Sequence, residues 1–335
     1  MMTGESYPPF TDARRTILVT GGAGFVGSWL TRRLRREGHR VVVYDLTSPQ
    51  TSRHADDRSD DSIRYVVGDI RDRELVEAVL HDERVETIFH LAARVGVRHA
   101  DEEAEEYRSV NVDGTACVLQ AAVRRGRIPL FFASSSSVYG PRTSLPMAEA
   151  DRLDPISHYG RTKREGERLC MIARREHNLD VRIGRYFTVY GPNGRPDMAI
   201  PRLLRAVRTG DAFTMAGDGA ARRDWTYVDD TIEGTIRLMG GTHPIELMNI
   251  GTGRSTSLRH VIELIEKLQG ATITLSNRPR HRFDLDETRA DLSRAETTGY
   301  RTRYPIESGL LRCLNSPHFP TTAERIRQTV THKGL

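Results

Sequence analysis

A short β-branched run, Thr16 to Thr20 (TILVT), leads straight into Gly21-Gly22-Ala23-Gly24-Phe25-Val26-Gly27 and then into a helical stretch reaching about Gly38. Strand, glycine turn and helix in immediate succession restrict the fold more than any other part of the chain. Gly21 permits the tight turn, Gly24 lets the backbone come close to a pyrophosphate, and Gly27 lets the helix pack against the strand. The first turn of that helix would then face the phosphates with its free N–H groups.

The alternation continues. Arg40 to Tyr44, Ile63 to Val67, Glu86 to His90, Pro129 to Ser134 and Asp180 to Tyr186 read as further strands. Helices are expected between them, one capped near Asp72 and running to about Asp82, and one long helix from Glu102 to Arg125. This order predicts an α/β fold, a doubly wound parallel sheet of the Rossmann type with helices on both faces. Past Tyr186 the pattern turns irregular, as in a smaller mixed α/β region that covers a substrate. We divide the chain into a flexible extension (1–15), a dinucleotide-binding part (16–187), a mainly substrate-binding part with some chain returning to the first (188–316), and a tail (317–335). Ser48 to Asp61 reads as a surface loop.

Asp45 ends the second strand. A carboxylate there accepts both ribose hydroxyls of an adenosine and repels a 2′-phosphate, which favours NAD over NADP. The second group of interest is Ser134-Ser135-Ser136-Ser137-Val138-Tyr139-Gly140 with Tyr159-Gly160-Arg161-Thr162-Lys163. Ser157 is a suitable N-cap for a helix carrying Tyr159 and Lys163 to about His177. The i,i+4 spacing puts phenol and amine on one face. An ammonium beside a phenol favours the phenolate, so Lys163 is expected to lower the Tyr159 pKa. With a serine hydroxyl alongside, this is a base for an alcohol that gives up a hydride. His90 is read as a packed residue, and Asn111 as an ordinary helix asparagine, solvated or locally bonded.

Composition bears on partners. Net charge is +5, but only three of the 50 basic residues are lysines (Lys163, Lys267 and Lys333), and 45 acidic residues nearly balance them. We read the arginine excess as compositional bias, not as a nucleic-acid surface. Lys163 stands out in such a chain, because a guanidinium fills a phenol-activating role poorly. Cys117, Cys170 and Cys313 are scattered, without metal spacing or an even disulfide set, so no metal and a reducing cytoplasm are expected. No apolar run reaches the roughly 18 residues of a membrane helix, so no membrane partner is expected.

The set resembles the extended short-chain dehydrogenase/reductases, within them the nucleotide-sugar epimerases and dehydratases. The matching pieces are Gly21/Gly24/Gly27, Asp45, Asp69-Ile70, Leu91-Ala92-Ala93, Ser134 to Gly140, Tyr159/Lys163, Tyr190-Gly191-Pro192, Arg223-Asp224 before Tyr227-Val228-Asp229-Asp230, and Asn249-Ile250-Gly251. They span about Thr16 to Gly309. The dehydratases resemble one another in an acidic pair before Val-Tyr-Gly, and related decarboxylases in a glutamate there; this chain has Ser136 and Ser137. Thr188-Val189-Tyr190-Gly191-Pro192-Asn193-Gly194-Arg195-Pro196-Asp197-Met198-Ala199 looks like the corresponding segment of UDP-glucuronate 4-epimerases.

The resemblance implies tightly held NAD contacted by Gly21, Gly24, Phe25, Val26, Gly27, Asp45, Asp69, Ile70, Leu91, Ala92, Ala93, Tyr159 and Lys163. It implies a catalytic Ser135, Tyr159 and Lys163. It implies a nucleotide sugar held by Arg94, Ser135, Ser136, Ser137, Tyr159, Thr188, Arg195, Arg223, Arg280 and Arg282, and a homodimer. The expected reaction is 4-epimerisation of UDP-glucuronate through a transient 4-keto sugar. Thr188 and Arg195 would fix the carboxylate so that the β-keto acid keeps its CO2. A neutral UDP- or dTDP-hexose 4-epimerase, a UDP-glucuronate decarboxylase, and a non-catalytic dinucleotide sensor remain as alternatives. At Arg280-His281-Arg282-Phe283-Asp284, Phe283 stands where the family carries glycine, and either arginine can serve the diphosphate.

Overall fold

A computed structural model of the chain describes residues 10–11, 13–48, 62–96, 103–142, 144–241 and 243–316. All of the expected loop Ser48 to Asp61 but its first residue, together with Val97, Arg98 and the tail at 317–335, lies outside them. Seven parallel strands form one sheet in the order β11-β6-β5-β4-β1-β2-β3. They are β1 (Thr16–Thr20), β2 (Arg40–Asp45), β3 (Ile63–Val67), β4 (Thr87–His90), β5 (Leu130–Ser135), β6 (Val181–Tyr186) and β11 (Leu247–Ile250). The order reverses at β1, so β1 and β4 flank the switch point at the sheet's carboxyl edge, where open α/β sheets bind ligands.

Both faces of the sheet are buried, and successive residues serve opposite faces. Ile17, Val19, Val41, Val43, Phe89 and Phe131 pack on one side with helices α1 (Phe25–Arg36) and α7 (Val228–Gly240). Leu18, Val42, Tyr44, Ile88, Leu130 and Phe132 pack on the other with α2 (Arg73–Asp82), α4 (Gly114–Arg124) and α5 (His158–His177). Local signals set several boundaries. Asp72 caps α2 by accepting from Leu75 N at 3.0 Å, and Ser157 caps α5 by accepting from Gly160 N at 3.1 Å.

The smaller region holds β7 (Thr188–Tyr190) paired with β10 (Trp225–Tyr227), β8 (Phe213–Ala216) with β13 (Leu275–Arg278), and β9 (Arg222–Arg223) with β12 (Thr256–Ser257). Helices α6 (Ala199–Thr209) and α8 (Leu258–Gln269) pack there. β11 and α7 return to the large sheet, so the chain crosses between the two parts more than once.

Two expectations need correcting. Residues 1–15 do not form a wholly loose extension. Phe10 is 5% exposed, packs edge-on against Phe89, and donates its N–H to Glu37 at 2.8 Å. Nor is Glu102 to Arg125 one regular helix. It is α3 (Ala104–Arg108), a π turn at Ser109–Asp113 and then α4. The π turn carries Asn111 inward, where it is buried rather than solvated.

Among the described residues, no helix is long and apolar enough to cross a membrane, and no group of three or more His, Cys, Asp or Glu is placed to hold a metal.

Candidate active site

The glycine turn is closed by its own backbone. Gly21 has φ +70°, and a Cβ there would stand 2.7 Å from Ala92 N, so neither conformation nor space admits a side chain. A Cβ on Gly27 would lie 2.1 Å from Gly21 O. Gly24 begins α1, with Phe25 and Val26 in its first turn. Asp45, at the end of β2, accepts from Ala23 N at 3.1 Å, which places its carboxylate against the turn. Leu91 and Ala92 follow β4 and donate their N–H groups to Thr20 O (3.1 Å) and Thr20 Oγ1 (3.3 Å). Ala93 comes next in the same segment. Asp69, just past β3, is ion-paired with Arg71 at 2.6 Å, which holds its carboxyl below the usual range. Ile70 beside it is buried against Gly114. A bare glycine cradle with an acid beyond the second strand fits a dinucleotide carrying a free adenosine ribose.

Ser135 ends β5, and its hydroxyl hydrogen-bonds the Tyr159 phenol. Ser136 and Ser137 form the 3-10 turn that follows, and Ser135 donates to Ser137 Oγ at 3.2 Å. Tyr159 and Lys163 lie one turn apart on α5. Burial raises the phenol's pKa; the Ser135 hydrogen bond and the Arg195 charge pull it back, while Tyr107 pushes it up.

The expected lowering by Lys163 is not what the structure gives. Lys163 Nζ donates to Ala133 O at 2.8 Å and sits 5.0 Å from the centre of the Phe132 ring. It is 4% exposed, and burial lowers its own pKa to about 8. Its amine serves the strand backbone, so Tyr159 is tuned by Ser135 and Arg195 instead.

The substrate candidates divide. Arg195 stands beside Tyr159 and Tyr107, and its Nε donates to Asp197 at 3.1 Å. Thr188 opens β7, with its N–H on Asp224 O at 3.0 Å. Arg94 lies over the Tyr107 ring at 5.8 Å and is ion-paired with Glu103. Arg223, Arg280 and Arg282 come from the smaller region. Arg223 sits on β9, with Nη1 on Arg222 O at 2.8 Å. Arg280 is paired with Asp286 at 2.6 Å, and Arg282 lies over the Phe283 ring at 4.8 Å. Ser135 and the Arg195 charge thus both act on the Tyr159 phenol, while the other arginines lie on separate segments.

Several residues escaped the sequence reading. Asn111 accepts from Arg94 N at 2.7 Å and donates to Arg94 O at 3.0 Å and to Thr162 Oγ1 at 2.9 Å, tying the loop after β4 to α5. Tyr107, 3% exposed, donates to Val95 O at 3.0 Å beside that loop. Glu167 and Arg185 form an ion pair at 2.7 Å with both side chains buried. The i,i+4 step from Lys163 to Glu167 was a signal available in the sequence. His90 is packed as expected. Thr115 donates to Asn111 O at 2.7 Å, so its oxygen accepts from His90 Nε2 (3.0 Å), leaving Nδ1 to accept from Thr20 Oγ1 at 2.7 Å.

Glycine turn, acid after the second strand, and Ser/Tyr/Lys at the carboxyl edge of a doubly wound sheet define an extended short-chain dehydrogenase/reductase. Residues 17–251 match the NAD dependent epimerase/dehydratase family, and the chain belongs to it. The UDP-glucuronate 4-epimerase of Thermodesulfobacterium geofontis is 34% identical over 310 residues, covering 89% of this chain and 94% of the relative. Two solved structures are similar over 94% of this chain and 99% of theirs. One is the UDP-glucuronic acid 4-epimerase of Bacillus cereus in complex with UDP-glucuronic acid and NAD, with TM-score 0.83 and 31% identity. The other is MoeE5 in complex with UDP-glucuronic acid and NAD, with TM-score 0.81 and 34% identity.

Proposed function

We propose that the protein is an NAD-dependent nucleotide-sugar 4-epimerase that interconverts UDP-glucuronate and UDP-galacturonate. The observation that carries the uronate reading is the Arg195 guanidinium, whose charge acts on the Tyr159 phenol. In a uronate the carboxylate sits on C5, next to the C4 hydroxyl that a base must reach. A cation beside that base suits a sugar acid better than a neutral hexose. The curated and solved relatives that act on or bind UDP-glucuronate support the same substrate.

Bound NAD supplies a reversible hydride acceptor, so that C4 of the sugar can be oxidised and then reduced from its other face. It would be held by Gly21, Gly24, Phe25, Val26, Gly27, Asp45, Asp69, Ile70, Leu91, Ala92, Ala93 and Lys163. Tyr159 takes the proton of the C4 hydroxyl and later returns it. Ser135 hydrogen-bonds the same C4 oxygen and orients it. Lys163 places a positive charge beneath the site. Ser136, Ser137 and Arg94 line the sugar. Thr188 and Arg195 grip the carboxylate so that its C–C bond stays out of line with the ketone π system, which suppresses loss of CO2. Arg223 and one of Arg280 or Arg282 neutralise the diphosphate, which stays anchored while the keto sugar turns over. The division of labour between residues 16–187 and 188–316 follows from these roles. We place the protein in the cytoplasm, on its scattered cysteines, and as a homodimer, on the family resemblance.

The test is incubation with UDP-glucuronate and no added cofactor, followed by proton NMR. UDP-galacturonate without pentose or CO2 is expected. Unchanged UDP-glucuronate, with NAD added as well, sinks the uronate reading and sends the search to neutral UDP- and dTDP-hexoses. Tyr159→Phe should lose turnover while keeping NAD; retained turnover removes Tyr159 as the base.

A further inference from the structure

Helix α5 meets the end of β5 at three places, one per helical turn. Tyr159 hydrogen-bonds Ser135. Lys163 Nζ donates to Ala133 O at 2.8 Å. Glu167 Oε1 accepts from Ser134 Oγ at 2.5 Å. The i,i+4 spacing puts all three on one helix face, and they meet three consecutive strand residues. The third contact is anchored from the next strand. Ser134 pairs in register with Arg185 of β6. Arg185 grips Glu167 with two bonds, Nε to Oε1 at 2.9 Å and Nη2 to Oε2 at 2.7 Å. Arg185 also donates to Tyr139 Oη at 3.0 Å, and Tyr139 donates to Asn249 Oδ1 at 2.7 Å, so the network reaches β11. Glu167 is 6% exposed and Arg185 3%.

A buried ion pair is a poor device for stability alone, because desolvating two charges offsets most of their attraction. This one stands directly behind the residues assigned to proton transfer. The groups facing Lys163 are few. From α5 come Glu167 and the Cys170 thiol, which burial keeps protonated. From β4 comes His90, which burial keeps neutral. From β5 come the Phe132 ring and Ala133 O. From β6 comes Arg185, already bound to Glu167. Among these described groups, Glu167 is the one carboxylate.

We propose that Glu167 is a positioning residue for the epimerisation: held by Arg185 and bonded to Ser134, it sets the register of α5 on β5 and with it the placement of Tyr159 and Lys163. The inference rests on the Ser135, Tyr159 and Lys163 roles given above. Ser134 is the strand-side half of the same contact.

Two variants of the full-length protein with its bound NAD test the contact from its two sides. Ser134→Ala removes the strand contact and leaves the Glu167–Arg185 pair intact. Its kcat should fall by roughly ten-fold, as for a lost bond to a charged group, with KM for the sugar nucleotide little changed. Glu167→Gln keeps the shape and removes the charge. Its kcat should likewise fall with KM for the sugar nucleotide little changed, because Arg185 then holds α5 less firmly on β5 and β6. If the lone Arg185 charge prevents folding, the Glu167→Gln/Arg185→Met double variant removes both charges and the grip on α5, and should show the same fall in kcat. Folded variants with wild-type kcat overturn the proposal, and so does a loss that falls on KM alone. Failure of the catalytic reading itself is recognised separately, by a Tyr159→Phe protein that still turns over.

Discussion

Replacing Asp224 with asparagine changes one atom of a carboxylate that is 0% exposed and accepts five hydrogen bonds. Oδ1 takes Thr252 N at 2.8 Å, Thr252 Oγ1 at 2.7 Å and Thr226 Oγ1 at 3.2 Å. Oδ2 takes Gly253 N at 2.9 Å and Ala290 N at 3.1 Å. Burial alone would raise the carboxyl's pKa, and these donors work against that. Asparagine can keep one oxygen toward Thr252 and Thr226. Its NH2 group then faces two backbone N–H groups, donor against donor. Each buried N–H left unpaired costs about 1–3 kcal/mol, so the pair costs about 2–6 kcal/mol, and about 3 kcal/mol after local relaxation. In a chain of this size that lowers the melting temperature by roughly 5 °C or more. The loss should also reach the substrate, because Thr188 N donates to Asp224 O at 3.0 Å and Arg223 is the adjacent residue. Denaturant unfolding together with KM for the sugar nucleotide measures both effects. A loss below about 1 kcal/mol with unchanged KM would refute the view that this carboxylate holds residues 252–253 and 290 around the arginine strand.

Gly27→Ala puts a methyl 2.1 Å from Gly21 O, so the backbone of the turn must move; the purified protein should have lost its bound NAD, measurable by nucleotide released on denaturation. Arg195→Gln should cut kcat/KM for UDP-glucuronate by roughly ten-fold or more, as for one charge-assisted bond, and release of CO2 should appear; a variant with no CO2 and full activity removes Arg195 from the carboxylate. His90, its pKa lowered to about 3, has both ring nitrogens committed and no place for a second proton. Unfolded chains bind that proton below about pH 6.5, so stability is intact above this pH and falls on acidification toward pH 3, by up to about 1.4 kcal/mol per unit. Unfolding measured from pH 7 to 5 should show this slope, and His90→Gln should flatten it by one proton.

The parts of the site written over short stretches of chain were legible in the sequence. The Gly21–Gly27 turn, Asp45 at a strand end, the Asp72 and Ser157 caps, and Tyr159 with Lys163 on one helix face all depend on spacings of a few residues. Local backbone geometry fixes such spacings, and the structure keeps each of them. The smaller region was less readable, because its two-strand pairings join segments dozens of residues apart, such as β8 with β13.

What Lys163 does shows where the sequence stops. Its spacing from Tyr159 suggested an amine that lowers the phenol's pKa; instead the folded strand offers Ala133 O, and burial lowers the amine's own pKa. Asn111 read as an ordinary helix asparagine, solvated or locally bonded, and a π turn carried it inward to the distant Arg94 and Thr162. Phe10 looked like part of a loose leader, and Phe89 gave it a place in the core. Glu167 and Arg185, 18 positions apart, become partners only once α5 lies across β5 and β6. Over residues 16–187 the sequence by itself determined the alternation of strands and helices and the residue types at each strand end, since periodicity and steric limits act within a few residues. The tertiary structure alone decided charge states and polar partners, because desolvation and hydrogen bonding depend on which distant segments close over a group.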